Sequence, residues 1–286
     1  MWIPFALVSA VIAGGRRVYE KHLTSTFGNF AMGFIAQIFS LLPSLCLIFL
    51  LPNATEIGTL PWRFWWPLLI IWFGLYPIQT YLLYRAVREG DVSTVAPVMA
   101  LMPAFNVLSS FLLLGEIPTF NGWIGIILIV FGTYFVLWNR TSAKNISLPV
   151  ILMIGSTLCM AVGSTLDKVS IQVSNPAFYG FVNTLGAAII FFILMHWYRE
   201  KHSFHDMFSK DWFWPLVFLG VLQAISFTAT MYAFKYGPTS YVLAIRAGSY
   251  VLAGLYGIII LKESLSARKI VALVCFLLGV MALAFA

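Results

Sequence analysis

The sequence predicts an all-α membrane protein, with ten transmembrane helices arranged as two inverted five-helix repeats. Three observations carry that prediction. Apolar residues make up 61% of the 286-residue chain and charged residues only 9%, at a mean hydropathy of +0.92, which excludes an ordinary soluble protein. Ten segments reach the roughly 20 mainly apolar residues that a spanning helix needs. The chain also repeats itself. A shift of 147 positions pairs Lys21 with Lys168, Gly33-Phe34 with Gly180-Phe181, Gly90 with Gly237, Glu116 with Glu263 and Gly132 with Gly279, and Ser93, Val95 and Ala100 with Ser240, Val242 and Ala247. Hydrophobic bias does not supply Lys, Glu and Gly, so the offset marks a duplication. Each copy has an odd number of spans, so the second lies inverted in the bilayer, the construction of two-gated membrane folds.

The segments fall near residues 2–21, 30–51, 64–87, 92–114 and 119–138 in the first repeat (residues 1–139). In the second (residues 148–286) they fall near 148–171, 176–197, 212–236, 239–261 and 266–286. Their apolar runs are continuous, which selects helices over a barrel with alternating faces. Trp2, Trp62, Trp65, Trp66, Trp123, Trp138, Trp197, Trp212 and Trp214 mark segment ends, where indole rings favour the headgroup layer; Trp72 alone lies well inside a span. The first segment carries Val8-Ser9-Ala10 but no basic leader, and its repeat partner is internal, so it reads as a retained helix. In the third and fourth segments Pro77, Pro97 and Pro103 predict bends that can serve as hinges. In the fifth and tenth, Gly125 and Gly132, answered by Ala272 and Gly279, predict close helix contact between the halves or between two protomers of a homodimer.

Charge is topological information here. The net charge of +7 on a membrane chain argues for no nucleic-acid partner. Arg16, Arg17, Lys21, Arg85, Arg88, Arg140, Lys144, Arg199, Lys201, Lys210, Lys262, Arg268 and Lys269 fall in odd-numbered connections, whereas Arg63, Lys168 and Lys235 fall in even ones. The positive-inside rule then puts both termini outside. Cys46, Cys159 and Cys275 sit in separate spans without metal spacing and read as packing residues. His196, His202 and His205 read as a solvated loop rather than a metal clip. No cofactor is expected.

Ten spans, the two-fold repeat, Leu114-Gly115-Glu116 followed by Gly125 and Gly132, and the echo Leu261-Lys262-Glu263 followed by Ala272 and Gly279 resemble the EamA family of the drug/metabolite transporter superfamily. The resemblance covers essentially the whole chain. It implies a multi-pass carrier in the plasma membrane, generally an exporter of metabolites with proton or exchange coupling. Its cavity would be lined by helices one, three, four, six, eight and nine, with helices five and ten packed together at the periphery. Members of that family usually keep both termini inside, against the charge count. Arg246 in the ninth span and Asp167-Lys168 at the end of the sixth depart from the family pattern, and Arg246 argues against a simple carrier of cations.

Arg246 is the sharpest candidate for a substrate contact. A charged side chain at a helix centre costs roughly 2.5–3.5 kcal/mol to insert, so it faces the bundle interior or water. With Ser249 and Tyr250 it forms one polar face, where a guanidinium can hold a carboxylate or phosphate in two bonds. The competing reading is a structural Arg paired with Asp167. Tyr76 and Gln79 of helix three meet Gln223 and Ser226 of helix eight at the repeat offset, with Thr230 a turn beyond, as a shared aqueous cavity requires; interhelical hydrogen bonding explains one such stripe equally well. In helix four Met99, Pro103 and Asn106 form the matching face, and Met99 answers Arg246, so the cavity is electrically asymmetric. Glu20 and Asp167 are repeat partners and candidate coupling acids that exchange protons with substrate; snorkelling charge pairs with Lys21 and Lys168 are the alternative. Glu116 and Glu263 precede helices five and ten and suit their positive N-terminal ends.

These residues predict a secondary carrier, an exporter of a small polar, anionic or zwitterionic metabolite that works by alternating access. Its partners are the lipid bilayer, a small-molecule substrate and protons as coupling ion. Two alternatives stay open: a lipid-carrier flippase, and a carrier of cationic or quaternary-amine solutes using an aromatic cage of Tyr76, Tyr232 and Tyr250. No span or loop offers a nucleophile with its base or paired catalytic carboxylates, so the sequence predicts no enzyme.

Overall fold

The computed structural model describes residues 1–23, 29–51, 60–89, 98–137, 147–198, 210–253, 256 and 267–286. These form ten helices: α1 (Trp2–Leu23), α2 (Asn29–Leu50), α3 (Trp62–Glu89), α4 (Met102–Leu114), α5 (Phe120–Leu137), α6 (Leu148–Gln172), α7 (Pro176–Trp197), α8 (Lys210–Tyr236), α9 (Thr239–Ala247) and α10 (Ala267–Ala284). By length and apolarity α3, α6, α7, α8 and most of α2 can each cross a bilayer, and α1, α4, α5 and α10 contain shorter apolar helices. Gly90, Ser93, Val95, Pro97, His202, His205 and Leu261-Lys262-Glu263 lie outside the described residues, as do the side chains of Glu20 and Lys21.

Local chemistry explains the irregular points. Pro77 cannot donate a backbone hydrogen bond, and its ring crowds the preceding turn. The chain answers with a π-turn over Ile71–Leu75, in which the Tyr76 N–H bonds the Ile71 carbonyl. Pro103 was expected within a long fourth span; the described helix instead begins at Met102, with Pro103 in its first turn, where the missing donor costs nothing. α4 ends at Gly115 in the left-handed region, φ 70°, and the Glu116 N–H folds back to the Ser110 carbonyl at 3.2 Å, a Schellman-type stop that glycine adopts without strain. α7 starts on Asn175, whose side chain accepts from the Ala177 N–H at 2.8 Å.

The two halves interleave in reciprocal pairs. α1 packs on α8 and α9, while α6 packs on α3 and α4; α2 packs on α7, α4 on α9, and α5 on α10. Each pairing is its own image under exchange of the repeats, or has an image among the others, as a two-fold relation between copies demands. Hydrogen bonds join the close pairs, because apolar faces gain little from meeting each other in lipid. Ser9 of α1 bonds Thr230 of α8 at 2.6 Å, and Asn106 Nδ2 of α4 donates to the Ala161 carbonyl and to Thr165 Oγ1 of α6, both at 3.0 Å. α5 and α10 meet through their small residues: a Cβ on Gly125 would lie 2.9 Å from the Gly279 carbonyl oxygen. Their glycines therefore set the distance between the halves within one chain.

Candidate functional site

A cavity of about 280 Å³ lies among α2, α3, α4, α6, α7, α8 and α9, near the small end of the roughly 300–1,000 Å³ typical of small-ligand pockets. Apolar residues such as Ile71, Leu75, Met102, Phe191 and Phe227 form part of its wall. Its polar groups converge from six helices. Gln37 comes from α2, Tyr76 and Gln79 from α3, Ser164 and Asp167 from α6, Asn183 and Thr184 from α7, Gln223 from α8 and Arg246 from α9, with no described α1 residue among them. The resemblance implied α1 as a lining helix. The described part of that helix packs on α8 and α9 through its buried Ala6, Ala10 and Ser9, and α2 and α7 contribute lining residues that the resemblance did not imply.

Asp167 and Arg246 put opposite charges on one cavity and are near enough to interact electrostatically. The Asp167 carboxylate also accepts a short hydrogen bond from Tyr179 of α7, a wholly buried residue held edge-on against Phe64. Charge-assisted bonds of this kind fix a carboxylate in place. Tyr76 stacks on Phe191, ring centroids 5.9 Å apart, and its hydroxyl meets Asn183. Trp72 Nε1 reaches the same Asn183 at 2.9 Å.

Comparison with known proteins decides the class. The model of the EamA-like transporter family matches residues 1–138 and again residues 147–285. The chain belongs to the EamA-like transporter family. It is therefore a multi-pass membrane transporter of a small-molecule substrate and not an enzyme. A solved structure titled "Crystal structure of protein" shares the fold at a TM-score of 0.82 over 99% of this chain and 96% of that one, with 14% sequence identity. No curated protein matches the chain in sequence.

In this EamA chain the residues singled out from the sequence divide into two groups. Tyr76, Gln79, Gln223, Arg246 and Asp167 line one cavity. Ser226 and Tyr250 do not. Ser226 is 2% exposed and bonds Ser9, its hydroxyl donating to the Ser9 carbonyl at 3.2 Å, so it joins helices. The Tyr250 hydroxyl lies 3.5 Å from the Met99 sulfur. Tyr232 stacks on Phe5 at 5.3 Å, so Tyr76, Tyr232 and Tyr250 do not form a cage. Cys159, read as packing, also lines the cavity. Gln37 and Thr184 were missed although the repeat pairs them, at the same offset that found Tyr76 and Gln223. Asn183 gave no such signal, since Ala36 answers it.

Lys168 and Glu116 form a second cluster. The sequence offers Lys168 as a snorkelling charge at the end of its span, yet α6 runs on to Gln172 and the residue is 7% exposed. Its ammonium forms a short ion pair with Glu116 Oε1 and donates to the Gly237 carbonyl at 2.6 Å. Glu116 Oε2 accepts from the Thr239 N–H at 3.0 Å and its hydroxyl at 3.1 Å. Glu116 thus caps the N-terminus of α9, not α5 as its sequence position suggested. In return the Tyr241 hydroxyl of α9 accepts from the Thr119 N–H at 2.8 Å, ahead of α5. This latch ties α6, the α4–α5 corner and the α8–α9 corner together, one residue along from Asp167.

Proposed function

We propose that the chain is a secondary carrier in the plasma membrane that exports a small zwitterionic or anionic metabolite by alternating access, with protons as the coupling ion. The observation that carries this reading is the pairing of Asp167 and Arg246 on one cavity. The guanidinium offers two parallel donors to a carboxylate or phosphate, and the carboxylate suits an ammonium. Gln37, Gln79 and Gln223 can turn amide donors or acceptors toward the uncharged part of the solute. A proton and a substrate ammonium compete for Asp167, and that competition is what antiport requires.

The latch supplies the closed end. Asp167 and Lys168 are consecutive on α6, so they point about 100° apart around the helix, one into the cavity and one into the latch. A load that shifts α6 at Asp167 strains the Lys168–Glu116 pair, and release of that pair frees the start of α9. This couples occupancy of the cavity to opening of its end.

The test is efflux from proteoliposomes across a panel of amino acids, carboxylates, phosphate esters and quaternary amines, comparing wild type with Arg246→Ala and Asp167→Asn. Solutes bearing an oxyanion are expected to be exported by wild type and lost in Arg246→Ala, and export is expected to follow an imposed pH gradient in wild type but not in Asp167→Asn. Export confined to quaternary amines, untouched by Arg246→Ala, would overturn the reading.

A further inference from the structure

Trp72 is a costly residue at the middle of a span, and the fold makes specific room for it. The π-turn over Ile71–Leu75 contains it, and Gly186 of α7 faces it so closely that a Cβ there would stand 2.1 Å from the indole. The indole N–H can only donate, and it donates to Asn183 Oδ1 at 2.9 Å. That bond orients the amide. With Oδ1 held by Trp72, Nδ2 faces Tyr76 and donates to its hydroxyl oxygen at 3.2 Å. The reverse bond, from the Tyr76 hydroxyl to the occupied Oδ1, is longer at 3.4 Å. Phe191 stacks on the Tyr76 ring and limits its rotation. The phenol therefore accepts from Asn183 and keeps its own proton for the cavity that Tyr76, Asn183 and Arg246 all line.

We propose that Trp72 and Asn183 are positioning residues that commit the Tyr76 hydroxyl to donate into the cavity, making Tyr76 the second donor, beside Arg246, for the oxyanion of the transported solute. This rests on the anion reading above and adds the residues that set its specificity. A site whose donors are fixed before the solute arrives discriminates strongly against an analogue without the acceptor, because the donors are then left unpaired.

The experiment uses proteoliposomes with L-leucine as carboxylate probe and inorganic phosphate as phosphate probe, the probe with the lower half-saturating concentration identifying which oxyanion the donors fit. Tyr76→Phe and Asn183→Asp are expected to raise that concentration about tenfold, with maximal rates kept within about twofold. Trp72→Phe should raise it several-fold, and Trp72→His, which restores a ring N–H, should recover part of the loss. Unchanged half-saturation in Tyr76→Phe, or a loss of maximal rate alone in Trp72→Phe, overturns the proposal. A second readout needs no transported probe: the ultraviolet resonance Raman difference between wild type and Tyr76→Phe reports whether the phenol accepts or donates. It should accept a hydrogen bond in wild type and lose that accepted bond in Trp72→Phe; a phenol that accepts none in wild type overturns the proposal. Insensitivity of Arg246→Ala to both probes, with the phenol accepting, would instead sink the anion reading and leave the relay standing.

Discussion

The latch and the cavity treat the repeat in opposite ways. At the latch the ion pair and the glycine beside it keep their identity, although Thr239 answers Val92: Lys168, Gly237 and Glu116 match Lys21, Gly90 and Glu263 at the offset of 147. At the cavity the polar residues do not. Gln37 answers Thr184, Tyr76 answers Gln223, Asn183 answers Ala36, Asp167 answers Glu20, and Arg246 answers Met99. Both described charges in the cavity come from the second half, while the first contributes neutral amides and a phenol. An ion pair that ties helices together needs both of its charges, and the sequence keeps them in both copies. A site that must fit one asymmetric solute is free to differ, and gains by doing so.

The sharpest way to break that comparison is at Arg246. Arg246→Ala is expected to lower kcat/KM for oxyanion-bearing solutes about a hundredfold, roughly 3 kcal/mol, as loss of one partner from a desolvated charge pair does. Moving the charge to its repeat position, Met99→Arg with Arg246→Met, asks whether the second half is needed. If the asymmetry matters, the swap restores no transport in the efflux assay.

The latch comes next in size. Glu116→Gln leaves Lys168 largely buried without its counter-charge, at a cost of about 2 kcal/mol after allowing for the 20% exposure of Glu116. The expected outcome is a lower thermal midpoint, and faster labelling of a cysteine placed at Thr239 in membranes. Lys168→Met combined with Glu116→Leu should recover most of the stability but not the dependence of labelling on substrate. Labelling that stays slow in Glu116→Gln would show that the pair is packing and nothing more. A smaller and opposite effect is expected of Glu263→Gln, from the repeat alone: labelling at Thr239 should slow with or without substrate.

Much of this was legible in the sequence, for physical reasons that differ by residue. Ten apolar runs and a constant offset survive any rearrangement of side chains, so the helices and the two halves were readable. Tyr76, Gln79, Gln223 and Arg246 could be read because a polar group on an apolar helix has few places to go. Gln37 and Thr184 carry the same signal, a polar pair at the offset of 147 on apolar helices. The partner of Glu116 was not readable: its contacts lie 52 and 123 positions away along the chain, and only the packing of α4, α6 and α9 brings them together. Lys168 misled because a helix end set by hydropathy fell near it, whereas α6 continues to Gln172.

Ser226 shows where such reading stops, and gives the smallest predicted effect. It follows Gln223 by three residues, a rotation of about 60° around the helix axis, small enough that both looked like one stripe. That rotation carries Ser226 out of the cavity and onto Ser9 and Thr230 of the α1–α8 contact. Ser226→Ala should therefore cost about 1 kcal/mol of stability, the worth of one interhelical hydrogen bond, and change the half-saturating concentration less than twofold. Gln223→Ala should do the reverse, weakening binding several-fold with the thermal midpoint nearly kept. Equal effects of the two substitutions on half-saturation would return Ser226 to the site and place the cavity wall one helix face further round than its lining residues do.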